Sequence, residues 1–204
     1  MLGCYHGINP AMGWLFAVAL GLQERSTRAV AAAIVPIAIG HVASVALVVA
    51  VALYAAGTLP HPAVRVAAAL VLVGFGVYRL LRRRHPRWVG MRVGSGGLIL
   101  WGFLMASAHG AGLMLLPFVL PASPMSMPAP MPMPMAPARA VSAGVEMGAL
   151  IVGVHSLGYL LVTTLVAFLV YCRFGLKLLR TAWFNIDLVW AAVLIATGLI
   201  ALAT

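Results

Sequence analysis

Acidic side chains are almost missing from this sequence: Glu24, Glu146 and Asp187 are the only three in 204 residues, and charged residues of both signs make up 8%. A soluble domain carries roughly 25% charged residues, so a water-soluble fold is excluded. Cysteine is scarce as well. Cys4 and Cys172 fall near opposite faces of a bilayer by the hydropathy pattern, which excludes their pairing, and no Cys-x-x-Cys motif offers redox or metal chemistry. There is no glycine loop of the Walker type, so ATP does not drive this chain directly. A His-Glu-x-x-His motif, a nucleophile elbow and a catalytic triad are all lacking, and no enzyme is expected. A basic leader is absent too: Met1 to His6 carries no positive n-region, and the first apolar run ends in Gln23-Glu24-Arg25 instead of a small-residue cleavage site. That run reads as a retained helix.

What is present is apolar sequence. Hydrophobic residues make up 64% of the chain, arranged in runs near the length of about 20 residues that a hydrocarbon core of roughly 30 Å asks of a spanning helix. The runs lie near residues 5–23, 29–56, 63–81, 97–120, 143–172 and 183–203. With no water at that depth, helices that close their own hydrogen bonds are the natural solution. The expectation is an all-α integral membrane protein with about six crossings.

The formal charge of +10 looks at first like a nucleic-acid signal, but its placement argues against one. Arg25 and Arg28 follow the first run, Arg79, Arg82, Arg83, Arg84, Arg87 and Arg92 surround the third connection, and Arg173, Lys177 and Arg180 lie in the fifth. Arg65 and Arg139 alone fall in the alternate connections, so the positive-inside rule makes the arginine-rich side cytoplasmic and leaves both termini outside. Arg82 to Arg84 then read as a topology anchor touching anionic lipid.

Short motifs recur between the two halves. His6-Gly7 is answered by His109-Gly110, and His41-Val42-Ala43-Ser44 by His155-Ser156, at offsets of 103 and 114 residues. An insertion in the second half, the low-complexity tract Pro121 to Pro137, accounts for the difference. The chain therefore divides into repeats over 1–93 and 94–204, the second including a Pro/Met-rich outer loop over 121–139. Three helices per repeat make the topology inverted, the architecture in which transporters build a midplane site from helices interrupted by Gly or Pro. Candidate interruptions are Asn9-Pro10, Pro36 and Gly40, Gly110 with Gly112 and Pro117, and Gly153 with Gly158.

Six helices in a 3+3 arrangement, N-terminus outside, with His6-Gly7-Ile8-Asn9-Pro10 opening the first helix, resemble the lysine-exporter superfamily of small bacterial transporters. That superfamily includes nickel/cobalt exporters and the thiol-relay protein of cytochrome c maturation. The resemblance implies a multi-pass protein of the bacterial inner membrane. The longer His-and-acid signature and the His-rich loop of the nickel/cobalt branch are missing here. The thiol-relay branch needs a cysteine in helices one and four, whereas Cys4 stands just before His6 and helix four has none.

Ionisable groups inside a membrane are costly and mark ion or substrate paths. The candidate path comprises His6, Pro10, His41, Ser44, His109, Gly110, His155 and Ser156, with Glu146 and Asp187 as candidates for proton coupling. Neutral imidazole suits Zn, Cu, Ni or Co and also titrates near physiological pH, so His41, His109 and His155 form the candidate metal set. The competing interpretation makes each ring an interhelical glue bonded to Ser44, Ser107 or Ser156. Asp187 has an equally plain alternative in an ion pair with Arg180 or Lys177. Met125, Met127, Met131, Met133 and Met135 offer soft thioethers suited to Cu(I), or else belong to a Pro-rich connector. No resident cofactor is called for; a transition-metal ion enters as substrate. The leading expectation is a secondary transporter, an exporter of a transition-metal or other small cation. Alternatives are an amino-acid or small-metabolite exporter and, in a different class, a non-transporting membrane anchor or assembly subunit. The partners are the lipid bilayer and the substrate, not nucleic acid; a homo-oligomer or a partner subunit stays open.

Overall fold

The computed structural model describes residues 1–81, 94–119, 137–174, 192 and 194–200. All regular structure among them is helical. Helix α1 spans Leu2–Ile8 and α2 spans Trp14–Glu24, separated by a 3-10 turn at Pro10–Met12. Helices α3 (Thr27–Thr58) and α4 (His61–Leu81) follow. Then α5 (Ser95–Ala108) runs through a 3-10 turn at Leu113–Leu115 into α6 (Leu116–Val119), and α7 covers Pro137–Arg173. Residues 194–200 are helical as well.

Among the described residues two helices are long and apolar enough to cross a membrane: α3, with 32 residues, and the 30 residues Gly144–Arg173 of α7. At about 1.5 Å per residue, both exceed the roughly 30 Å of a hydrocarbon core. The bent pair of α5 with the segment Leu113–Val119, turned by 50° at its break, adds a third if it counts as one span. The outward faces of α3 and α7 present Val35, Ile39, Leu47 and Val51, and Leu150, Val154, Leu157, Leu161 and Leu165, all exposed. Such apolar surface suits lipid and not water.

Only two of the expected interruptions break a helix. The first run is broken at Asn9-Pro10, with Gly13 at φ 119°, and the fourth at Gly110, with φ 68°. These are left-handed conformations that a residue without Cβ adopts freely. Pro36 and Gly40, by contrast, lie within the continuous α3, and Gly153 and Gly158 within the continuous α7. Pro36 removes one ladder hydrogen bond without ending the helix, because apolar packing on both sides maintains it: Ile34 and Ile37 are buried in one cluster with Trp14, Val30 and Leu98.

Glycine sets how closely the helices pack. A Cβ on Gly40 would strike the carbonyl of Ile99, and one on Gly102 the carbonyl of Ile37, so α3 and α5 meet backbone to backbone. A second seam runs along α1, where Gly3 and Gly7, four residues apart, face the backbone of α7 from His155 to Thr163. Without a hydrophobic driving force between helices in lipid, close approach of this kind is what holds them together.

Gly40→Ala is accordingly expected to cost about 1–3 kcal/mol by overpacking. Gly153→Ala, which meets nothing within 4 Å, is expected to gain about 0.5–1 kcal/mol from helix propensity. Thermal unfolding of the two purified variants in detergent checks the pair; shifts of the same sign would refute the α3–α5 seam.

Candidate functional site

The glycine seams bring histidines together. His6 lies in the last turn of α1, His41 in the middle of α3 and His155 on α7, and their relative exposures are 0%, 1% and 5%. Ring centroids are 5.2 Å apart for His6 and His155, 5.6 Å for His41 and His155, and 5.9 Å for His6 and His41. The seam through Gly3 and Gly7 makes the first of these distances possible, since any side chain there would push α1 off α7. The rings of His41 and His155, the two residues matched in the sequence repeat, are parallel to within 3°.

Tyr159 completes the cluster. Its ring lies 3.7 Å from that of His41 and 9° from parallel, and its hydroxyl donates to the Met12 carbonyl at 2.7 Å. It was not among the sequence candidates, although it follows His155 by one helical turn and must share its face. The thioethers of Met12 and Met105 pack with it in one buried group.

The broken first run carries backbone carbonyls that its own helix cannot satisfy, and side chains from α2, α5 and α7 reach them. Thr163 donates to the Gly7 carbonyl at 3.4 Å, Trp14 Nε1 to Ile8 at 3.0 Å, Trp101 Nε1 to Ala11 at 3.3 Å and Tyr159 to Met12. The buried Asn9 carboxamide oxygen accepts from the Ala11 amide at 3.0 Å, shaping the turn before Pro10. None of these donors was among the sequence candidates; the available signal was an indole or hydroxyl in an otherwise apolar helix, which must find a partner when buried.

Other polar atoms are left over. Both ring nitrogens of His41, Nε2 of His155 and the hydroxyl of Ser156 are buried without a protein hydrogen-bond partner. Each such group costs about 1–3 kcal/mol, so a cluster of them is a departure from ordinary core packing. The glue interpretation of His41 and His155 through neighbouring serines finds no such bond. Ser44 instead shares a 2.8 Å hydrogen bond with Ser107, which donates to the Phe103 carbonyl, so the proton between the two hydroxyls comes from Ser44.

His109 caps α5 at the second break, beside Gly110, just as His6 stands at the first. Its Nδ1 is 2.9 Å from the Met105 carbonyl, and because a carbonyl only accepts, Nδ1 carries the proton. The mutual trio thus includes His6, which was outside the expected metal set, while His109 is anchored to its own helix. Among the described residues, no group of three His, Cys, Asp or Glu side chains is placed to hold a metal ion. The set His41, His109 and His155 gains no support as a preformed metal centre from this arrangement.

Pro10 opens the 3-10 turn, partly exposed, and Glu146 is exposed on α7. Asp187, Lys177, Arg180, Arg82 to Arg84 and the methionines of the Pro/Met tract lie outside the described residues. Cys4 and Cys172 are exposed free thiols.

No protein-family model, no curated protein and no solved structure matches this chain.

Tyr159→Phe keeps the stack on His41 and removes the bond to Met12. It is expected to destabilise the protein by about 1–3 kcal/mol, because the buried Met12 carbonyl then loses its donor. Tyr159→Leu is expected to cost more. Thermal unfolding of both variants tests this, and wild-type stability for Tyr159→Phe would show that the bond does not hold the break.

Proposed function

We propose that this chain is a small secondary transporter of the lysine-exporter kind, exporting a transition-metal or other small cation. In this proposal it crosses the bacterial inner membrane six times as a 3+3 inverted repeat with both termini outside. The observation that carries the proposal is the buried trio His6, His41 and His155, gathered where a broken helix meets two continuous ones. Transporters with inverted repeats place their sites at such junctions.

The packing supports the repeat. In the expected halves, α1 opens segment one and packs on α7, which is segment five; α5 opens segment four and packs on α3, which is segment two. A two-fold relation between the halves exchanges those pairs. The same relation sets His41 against His155 and puts His6 and His109 at the two breaks. In this reading, His109, Ser44, Ser156 and Gly110 extend the path from the trio, and Glu146 and Asp187 serve proton coupling near its ends. An amino acid or another small metabolite is the alternative substrate.

The spacing suits a cation. A metal about 2.0–2.1 Å from a ring nitrogen lies roughly 3.2 Å from the ring centroid, so ligand centroids stand about 5.2–5.5 Å apart in tetrahedral or trigonal geometry. The three observed distances, 5.2, 5.6 and 5.9 Å, are close to that range. Ring orientation is not yet that of ligands, so loading an ion requires the imidazoles to turn their edges inward.

One observation favours the non-transporting anchor or assembly subunit: the carbonyls of Gly7, Ile8, Ala11 and Met12 are all engaged by side chains, as in a rigid scaffold. Transport separates the two readings. The purified chain alone in liposomes is expected to move a metal cation under a pH gradient, and His41→Ala or His155→Ala to reduce that flux by roughly 10–100-fold, the scale of damage to a metal ligand's surroundings. If wild type moves no metal and no amino acid, the transporter reading fails; if both variants match wild type, the histidine path fails.

A further inference from the structure

We infer that the ion taken by the trio is soft and univalent, of the Cu(I) or Ag(I) kind. The inference rests on the cation-transport reading and narrows it.

Charge is the first ground. The buried polar side chains among the described residues are imidazoles, hydroxyls and one carboxamide, with no carboxylate or thiolate. Glu24 and Glu146 are exposed, and so are both thiols. The Born cost of a buried ion grows with the square of its charge, so a divalent ion pays about four times what a univalent ion of similar size does, with no anion beside it in compensation. Zinc, nickel and cobalt sites commonly draw on carboxylates or thiolates as well as imidazole. This cluster offers none.

Softness is the second. Thioethers lie one residue away from the imidazoles: Met12 and Met105 share a buried cluster with Tyr159, whose ring covers one face of His41 at 3.7 Å. Thioether sulfur selects Cu(I) among common metals. Closed-shell univalent ions of this type are satisfied by two or three nitrogen or sulfur donors, so the orphaned nitrogens of His41 and His155 with one further donor suffice. The trigonal centroid spacing of about 5.5 Å for nitrogen ligands lies within the observed 5.2–5.9 Å.

The test uses the full chain carrying Cys4→Ser and Cys172→Ser, so that thiols do not bind the probe, purified in lipid nanodiscs. Equilibrium dialysis against Ag(I), Zn(II) and Ni(II) is expected to show one Ag(I) per chain whose affinity falls roughly 10–100-fold in His41→Ala. Ag(I) held by the outer methionines Met125 to Met135 remains in that variant and is subtracted. His155→Gln, close to histidine in volume and polarity, repeats the measurement should His41→Ala fail to fold. X-ray absorption of the Cu(I)-loaded protein is expected to show nitrogen and sulfur neighbours, the sulfur diminished by Met12→Leu with Met105→Leu. Ag(I) affinity equal in wild type and both histidine variants overturns the inference. Zn(II) or Ni(II) held through His41 with Ag(I) rejected also overturns it but leaves cation transport intact. If the liposome assay moves no cation at all, it is the transport reading that fails.

Discussion

Everything distinctive about this core depends on how closely helix backbones approach one another. In lipid, two apolar surfaces gain nothing by leaving their solvent, so association relies on dispersion and on contacts that only small residues permit. Gly3 and Gly7 let α1 lie on the backbone of α7, and Gly40 with Gly102 do the same for α3 and α5. The histidines follow from those seams. His6 is held one position before Gly7, and His41 one position after Gly40. Each is therefore fixed beside a close contact, and the three rings stand 5.2–5.9 Å apart.

The second consequence concerns the break in the first run. Breaking a helix leaves carbonyls with no partner in their own helix, and the fold answers with Trp14, Trp101, Tyr159 and Thr163. Two of these donors come from α7 and one from α5, so the break ties together the two glycine seams. Tyr159 has both tasks: its hydroxyl holds Met12 and its ring lies over His41. The contrast with the trio is chemical. The fold satisfies the carbonyls of the break yet leaves both ring nitrogens of His41 and Nε2 of His155 without protein partners.

Much of this was legible in the sequence because it depends on single residues with strong local meaning. Apolar runs, Asn9-Pro10 and Gly110 mark long helices and two breaks, and an ionisable ring in such a run is conspicuous. What was not legible depends on partners distant in the chain. Gly3 and Gly7 look like ordinary glycines until α7, some 150 residues later, lies across them. Pro36 and Gly158 carry the same breaker signal as Pro10 and Gly110, but tertiary packing maintains α3 and α7 through them. The metal set His41, His109 and His155 was chosen by depth along the segments, and depth says nothing of azimuth. The Nδ1 of His109 is bonded to Met105, and His6, assigned to the path only, stands with His41 and His155.

The arrangement also constrains how access to the trio would alternate under the transport reading. His6 and His155 belong to the α1–α7 pair, locked by Gly3, Gly7 and the bonds to the break, whereas His41 belongs to the α3–α5 pair, locked by Gly40 and Gly102. Neither pair can shear internally without driving a backbone into a backbone, since packed cores are bistable and not continuously deformable. Movement therefore has to occur between the pairs, and the contacts it would change include those of His41 with His6, His155 and Tyr159 and the bond from Trp101 to Ala11. A stack of parallel rings suits that role, because such faces slide at little cost while the orphaned nitrogens at their edges meet or part. The pairs cross the boundary between the expected halves, so the unit that moves would be a helix pair drawn from both halves and not one three-helix repeat against the other.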